Sequence, residues 1–205
     1  MATLLHIDVS PRGEYSISRK LGKAFAEEWK VKHSGTVVYR DLVKTDLTFV
    51  DLAWIGGAYS DPSQHTPEQK AALKISDDLI AELLSADEIV IATPMYNFAI
   101  PASLKAYIDH IVRHGKTFSI GENGYAGLVK GKKATFIVAS GGDYAAGGPA
   151  EGYNQETPYL KAIFGFIGIT DTKSVLAGGT TAVVMGKMKE ADYLKEHEGD
   201  VKAAV

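Results

Sequence analysis

Three short stretches carry the residue types that hold a small anionic, aromatic ligand, and each follows an apolar run. The first is Ser10-Pro-Arg-Gly-Glu-Tyr-Ser-Ile-Ser18, which sets hydroxyls at Ser10, Ser16 and Ser18 beside Ile17 at the start of an expected helix, with Arg12 and Arg19 close in sequence. The first amides of a helix lack intrahelical acceptors and carry a partial positive charge, so with these hydroxyls they form a socket for a phosphate. A plainer role for Ser16, capping the helix, stays open at this point. The second stretch, Thr93-Pro-Met-Tyr-Asn-Phe-Ala-Ile-Pro101, puts Met95, Tyr96 and Phe98 at the end of a strand, where a flat aromatic ligand would give them cover. Asn97 offers donors and an acceptor to the edge of a heterocycle, and an aromatic plug over the sheet edge is the alternative. The third, Ser140-Gly-Gly-Asp-Tyr-Ala-Ala-Gly-Gly148, holds Ser140, Gly141, Gly142 and Asp143 in a glycine-rich run whose backbone can approach a ligand closely, or which is an ordinary turn.

The fingerprint GxGxxG is absent from the first loop, which favours a monophosphate over a pyrophosphate. A phosphate socket, an aromatic wall and an amide-lined ledge together match the parts of flavin mononucleotide (FMN). Other chemistry is poorly served. With Lys+Arg at 22 against Asp+Glu at 25, the net charge of −3 offers no basic field to a nucleic acid. Cysteine is absent, which removes disulfides, thiolate nucleophiles and thiolate zinc sites, so redox function requires a bound cofactor. His110 and His114 are spaced i,i+4 but lack an evident third ligand, so no metal site is expected. Ser140 lacks the GxSxG context of a hydrolase nucleophile. Gly131-Lys132 resembles the end of a P-loop, but Ala126 stands where its first Gly belongs and Lys133 where Ser or Thr belongs. The first residues lack a basic region followed by a long apolar one, and no apolar run reaches about 18 residues, so a cytoplasmic location with no membrane partner is expected.

The elements that must position these loops alternate. Apolar runs at Thr3–Val9, Thr36–Asp41, Ala86–Ala92, Lys133–Ala139 and Thr172–Ala177 read as strands. Helical spacing recurs from Ser16 to Ser34, from Thr66-Pro67 to Ser85, over Pro101–His114, from Thr157 or Pro158 to Ile167, and from Gly186 to about Ala203. The stretch from Leu42 to Gln64 is long for a connector and, with Trp54-Ile-Gly-Gly-Ala-Tyr59, reads as an interface or lid segment, or as a loop folded onto its own subunit. Such alternation predicts one α/β domain over residues 1–205, with a five-stranded parallel sheet in the flavodoxin-like order 2-1-3-4-5 and helices on both faces. Ligands in such sheets sit beyond the carboxyl ends of the strands, where the three loops fall.

At this level the chain also resembles a known family. Ser10-Pro-Arg…Ser16-Ile-Ser18, Pro94-Met-Tyr-Asn-Phe98…Pro101-x-x-Leu-Lys-x-Tyr-Ile-Asp109, Gly115-Lys-Thr-Phe118…Glu122-Asn-Gly124 and Thr157-Pro-Tyr-Leu…Gly165-Phe-Ile-Gly168 look like the FMN-dependent NADH azoreductases, also described as quinone reductases. The resemblance implies a homodimer with FMN at the subunit interface. It assigns Ser10, Ser16, Ile17 and Ser18 to the phosphate, Met95, Tyr96, Asn97 and Phe98 to the ring, and Ser140, Gly141, Gly142 and Asp143 to its polar edge. It offers Phe118, otherwise a core aromatic, as a stacking wall for substrate, with Tyr144 as a second substrate contact. Where several members have Ser-Arg-Gly-Gly, an apolar residue and His, this chain reads Ala139-Ser-Gly-Gly-Asp-Tyr144, which alters groups that could touch substrate. The implied activity is ping-pong transfer of hydride through flavin N5, from NADH or NADPH to quinones or azo compounds, with no catalytic side chain required. A flavodoxin-type electron carrier on the same fold is the alternative.

Overall fold

The computed structural model describes residues 1–122 and 124–205. Asn123, quoted above within Glu122-Asn-Gly124, lies outside the described residues. The elements in chain order are β1 (Thr3–Asp8), α1 (Ile17–His33), β2 (Thr36–Asp41), α2 (Leu52–Ala58), α3 (Pro67–Ser85), β3 (Glu88–Pro94), α4 (Ala102–Ile111), β4 (Phe118–Gly121), β5 (Gly124–Gly127), β6 (Lys133–Ala139), α5 (Glu156–Ile167), β7 (Asp171–Ala177), α6 (Thr181–Val184), α7 (Glu190–Glu196) and α8 (Glu198–Ala204). Five strands pair in parallel in the order β2-β1-β3-β6-β7, the expected 2-1-3-4-5 once the separate β4-β5 hairpin is set aside.

The central strands are buried on both faces, and their side chains alternate between two cores. Leu5, Ile7, Ile89, Ile91, Phe136 and Val138 face α3, α4 and α5. Leu4, Val90 and Ile137 face α1, α7 and α8. Helix α1 buries Leu21, Phe25 and Trp29 at i, i+4 and i+8, is capped by Ser16, and ends where Ser34 turns left-handed. Helix α3 begins with a capping box between Thr66 and Gln69, with Pro67 in its first turn.

Several expected boundaries move for local reasons. The third strand is Glu88–Pro94 rather than Ala86–Ala92, because Ala86 still caps α3 and Asp87 is occupied in bonds to Thr3. Helix α4 stops at Ile111 rather than His114, since the Thr117 hydroxyl donates to the Ile111 carbonyl and accepts from the Arg113 amide. The stretch from Leu42 to Gln64 contains α2, capped by Asp51 through a 2.8 Å bond from the Trp54 amide. The helix expected from Gly186 to about Ala203 is two short ones, α7 and α8, and the unexpected α6 before it is closed by Gly186 at a φ of 68°. Among the described residues no helix is long and apolar enough to cross a membrane.

The height of α1 above the sheet is set by Gly22. A Cβ there would come within 2.6 Å of the Ala92 Cβ and 2.9 Å of His6 Nε2. Helix propensity favours Ala over Gly by about 1 kcal/mol, whereas overpacking costs about 1–3 kcal/mol. Gly22→Ala is therefore predicted to lower stability in urea unfolding, and a stabilised variant would show that α1 does not rest on the sheet as described.

Candidate functional site

Beyond the carboxyl ends of β1, β3, β6 and β7 lies a cavity of about 280 Å³. Its floor is the start of α1. Ser16 is the N-cap, with its Oγ accepting from the Arg19 amide at 3.3 Å and lying 3.1 Å from the Ser18 hydroxyl. Ser16 can therefore cap the helix and still face the cavity, since Ser10, Ser16, Ile17 and Ser18 all line it while the Ile17 and Ser18 amides have no intrahelical acceptor. Ser10 Oγ accepts the Arg12 amide at 3.3 Å and keeps its proton to donate. Arg12 is the charged residue in this wall.

Arg19, expected to assist the socket, turns the other way. Its guanidinium donates to the Ser10 carbonyl at 2.7 Å, to Asp41 at 2.8 and 2.9 Å, to Asp8 at 3.3 Å and to the Tyr39 hydroxyl at 3.1 Å. The hydrogen bonds with Asp41 raise the Arg19 pKa and hold the Asp41 carboxyl below its usual range. Burial, reinforced by a hydrogen bond to Asp8, pushes the Tyr39 phenol up to about 12. Arg19 therefore ties the first loop to the ends of β1 and β2 and leaves the cavity's charge to Arg12.

The second wall is the loop after β3, where Pro94, Met95 and Tyr96 line the cavity. Tyr96 and Ala99 exchange two backbone bonds of 3.0 Å around Asn97 and Phe98, whose φ angles of 49° and 70° match a type I′ turn. Asn tolerates this region, whereas Phe there is strained. The turn stands Asn97 and Phe98 at the loop tip, outside the cavity lining, with Tyr96 and Phe98 42% and 43% exposed. The Phe98 ring packs against Tyr144 of the third loop at 5.8 Å and against Tyr153, in the turn just before α5, at 5.0 Å.

Of the third loop, Gly141 lines the cavity, while Ser140, Gly142 and Asp143 shape it. The Ser140 hydroxyl donates to the Gly142 carbonyl at 2.8 Å, and Asp143 accepts from the Ala145 amide at 3.0 Å. A Cβ on Gly142 would lie 2.8 Å from the Tyr144 ring, which covers it. Tyr144 lines a neighbouring groove with Asn154, Thr157 and Leu176. Phe118 is buried among His114, Tyr125 and Phe166 of its own chain and does not line the cavity. His110 lies 2.8 Å from the Thr48 carbonyl through Nε2, and His114 stacks on Tyr59.

A fourth wall was missed. Thr180, Thr181, Val184 and Met185, on and beside α6, close the cavity, and the Thr180 amide and hydroxyl each donate to the Ser140 carbonyl at 3.0 Å. The signal was Gly178-Gly179-Thr180-Thr181 directly after the fifth parallel strand, a position equivalent to the other three loops. Strain at Phe98 amounts to about 1–3 kcal/mol and the packing of its half-exposed ring to about 0.5–1.5 kcal/mol. Phe98→Gly should thus leave thermal stability unchanged or raise it by about 1 kcal/mol, and a marked loss would mean that ring packing outweighs strain.

Comparison with known proteins bears on the fold and the family. A family model described as flavodoxin-like fold matches residues 2–203. FMN-dependent NADH:quinone oxidoreductase 8 of Burkholderia lata is 48% identical over 205 residues, covering 100% of this chain and 96% of its own. FMN-dependent NADH:quinone oxidoreductase 2 of Trichormus variabilis is 52% identical over 179 residues, 86% of each chain. The crystal structure of an FMN-dependent NADH-azoreductase from Bacillus anthracis in complex with FMN superposes with a TM-score of 0.87 at 28% identity, covering 100% of this chain and 97% of that one. The chain belongs to the flavodoxin-like family of FMN-dependent NADH:quinone oxidoreductases and azoreductases.

Proposed function

We propose that this protein is an FMN-dependent NADH:quinone oxidoreductase that also reduces azo compounds. The observation that carries the reading is the single cavity in which free helix amides, three serine hydroxyls and Arg12 meet the Met95–Tyr96 wall and Gly141. The donor set suits a phosphate dianion at one end and an aromatic ring at the other. The cavity is at the small end for a small-molecule site, and the half-exposed rings of Tyr96 and Phe98 extend its apolar surface.

When bound, FMN supplies hydride acceptance from NADH and hydride donation to the second substrate at flavin N5. The chain's own residues position it. Ser10, Ser16, Ser18, the Ile17 and Ser18 amides and Arg12 would hold the phosphate, and Met95, Tyr96, Asn97 and Phe98 would flank the ring. Amides near Gly141 and Gly142, shaped by Ser140 and Asp143, would face the ring's polar edge as hydrogen-bond donors to negative charge there. No side chain is assigned a proton-transfer step. Tyr144, standing over Gly142 beside Phe98, borders the face on which substrates alternate.

The whole chain, residues 1–205, acts in this reading as one FMN-binding domain within a homodimer in the cytoplasm, where NADH is supplied. Support for the dimer comes from an apolar surface left bare on this chain. Helix α2 buries Trp54 and packs Gly57 on Leu73, yet turns Leu52 outward at 87% exposure, with Phe49 beside it at 78%. Tyr59 of the same segment stacks on His114, and Tyr125 on the hairpin is likewise exposed, with the buried Phe118 ring packed beneath and touching both His114 and Tyr125. A partner subunit covering it would also bring Phe118 and the Leu42–Gln64 segment toward the second subunit's site.

The test is anaerobic titration of the FMN-loaded protein, with its mass measured by sedimentation. NADH should bleach the flavin absorbance stoichiometrically, a quinone should restore it, and the loaded species should have twice the chain's mass. A spectrum indifferent to NADH would leave an electron carrier, and a monomer that turns over would remove the dimer from the account.

A further inference from the structure

Beneath the second loop lies a carboxyl group that the chemistry above does not use. Glu156 opens α5 with its side chain fully buried, and its Oε1 lies 3.0 Å from the hydroxyl of Thr93, which is equally buried. Thr93 and Pro94 close β3, and the ring loop begins at the next residue. The Thr93 hydroxyl also lies 3.2 Å from the Pro94 carbonyl, and the amide of Gln155, the neighbour of Glu156, donates to the Phe98 carbonyl at 3.0 Å. Two consecutive residues at the start of α5 therefore hold both the base and the tip of the loop.

A hydroxyl carries one proton. Directed at the Pro94 carbonyl, it leaves Thr93 Oγ1 as an acceptor, so the Glu156 carboxyl must be the donor. The other carboxyl oxygen, Oε2, is buried and has no hydrogen-bond partner among the described residues, a position far more costly for a carboxylate than for a neutral acid.

We propose that Glu156 is a positioning residue that acts as a neutral acid, donating to Thr93 so that Thr93 donates to Pro94 and the ring loop keeps the shape that receives flavin. This rests on the FMN reading above. Burial pushes the carboxyl up to about 8, against the opposing hydrogen bond with Thr93. Among the described residues no charged side chain on β3, the ring loop, the third loop or α5 contributes to that rise. When Glu156 loses its proton to solvent, the carboxylate can only accept, Thr93 must turn to it, and the Pro94 carbonyl is released.

The experiment compares the wild type with Glu156→Gln, which keeps a donor but cannot ionise, and Thr93→Val, which keeps the shape but has no hydroxyl. Amide hydrogen exchange over residues 93–99 is followed in the FMN-free protein, and FMN affinity by fluorescence quenching, from about pH 6 to about pH 9.5. Wild-type exchange, corrected for its intrinsic rate, should rise and FMN affinity should fall, each by about tenfold, as pH passes through about 8. Glu156→Gln should match the wild type at the acid end and stay there, while Thr93→Val should show the loosened loop at every pH. A Glu156→Gln profile that parallels the wild type in both readouts would overturn the inference. Exchange behaving as expected in a protein that takes up no FMN would support the inference and overturn the functional reading instead.

Discussion

The free amides at the start of α1 are the feature on which the proposed function depends, and packing fixes where they point. Gly22 lets the helix rest directly on Ala92 and His6 of the sheet. Arg19, one turn into the helix, grips the Ser10 carbonyl and the carboxylates of Asp8 and Asp41, so the first loop cannot swing independently of β1 and β2. This arginine is cationic but committed to two carboxylates. The positive potential a phosphate would feel comes from the helix terminus and Arg12.

The other walls come from strands far apart in sequence, yet backbone bonds lock them together. The turn after β7 reaches back to the Ser140 carbonyl, and the start of α5 reaches forward to the Phe98 carbonyl. Asn97 and Phe98 hold left-handed backbone angles that an isolated peptide would abandon. The Tyr96–Ala99 bridge, the bond from Gln155 and the rings of Tyr144 and Tyr153 together keep them there. A surface assembled this way is preformed, which lowers the ordering cost of binding a rigid ring.

Much of this was legible in the residue order. Five apolar runs alternating with helical spacings gave the parallel sheet, because strands buried on both faces leave an unmistakable hydropathy signal. The carboxyl-end rule then selected three of the cavity's four walls. What escaped notice was short or tertiary. Helix α2 and the β4-β5 hairpin are too brief for periodicity to register, and α4 ends on a hydroxyl contributed by Thr117, six residues beyond its last turn. The direction of Arg19 depends on Asp41 across a strand pair, and the burial of Glu156 on Thr93, 63 residues away. Phe98 at positive φ breaks the usual preference for Gly, and no local rule would have placed it there.

The central claim is that the start of α1 is a phosphate socket, and the measurement closest to it compares the affinity of the ligand-free protein for FMN and for riboflavin, which differ only in the phosphate. Two or more charge-assisted hydrogen bonds predict that FMN binds roughly 100-fold more tightly, with the gap narrowing at high salt and in Arg12→Ala. Equal affinity for the two flavins would contradict the account, since the serines and free amides of α1 would then be ornaments of a helix cap and nothing more.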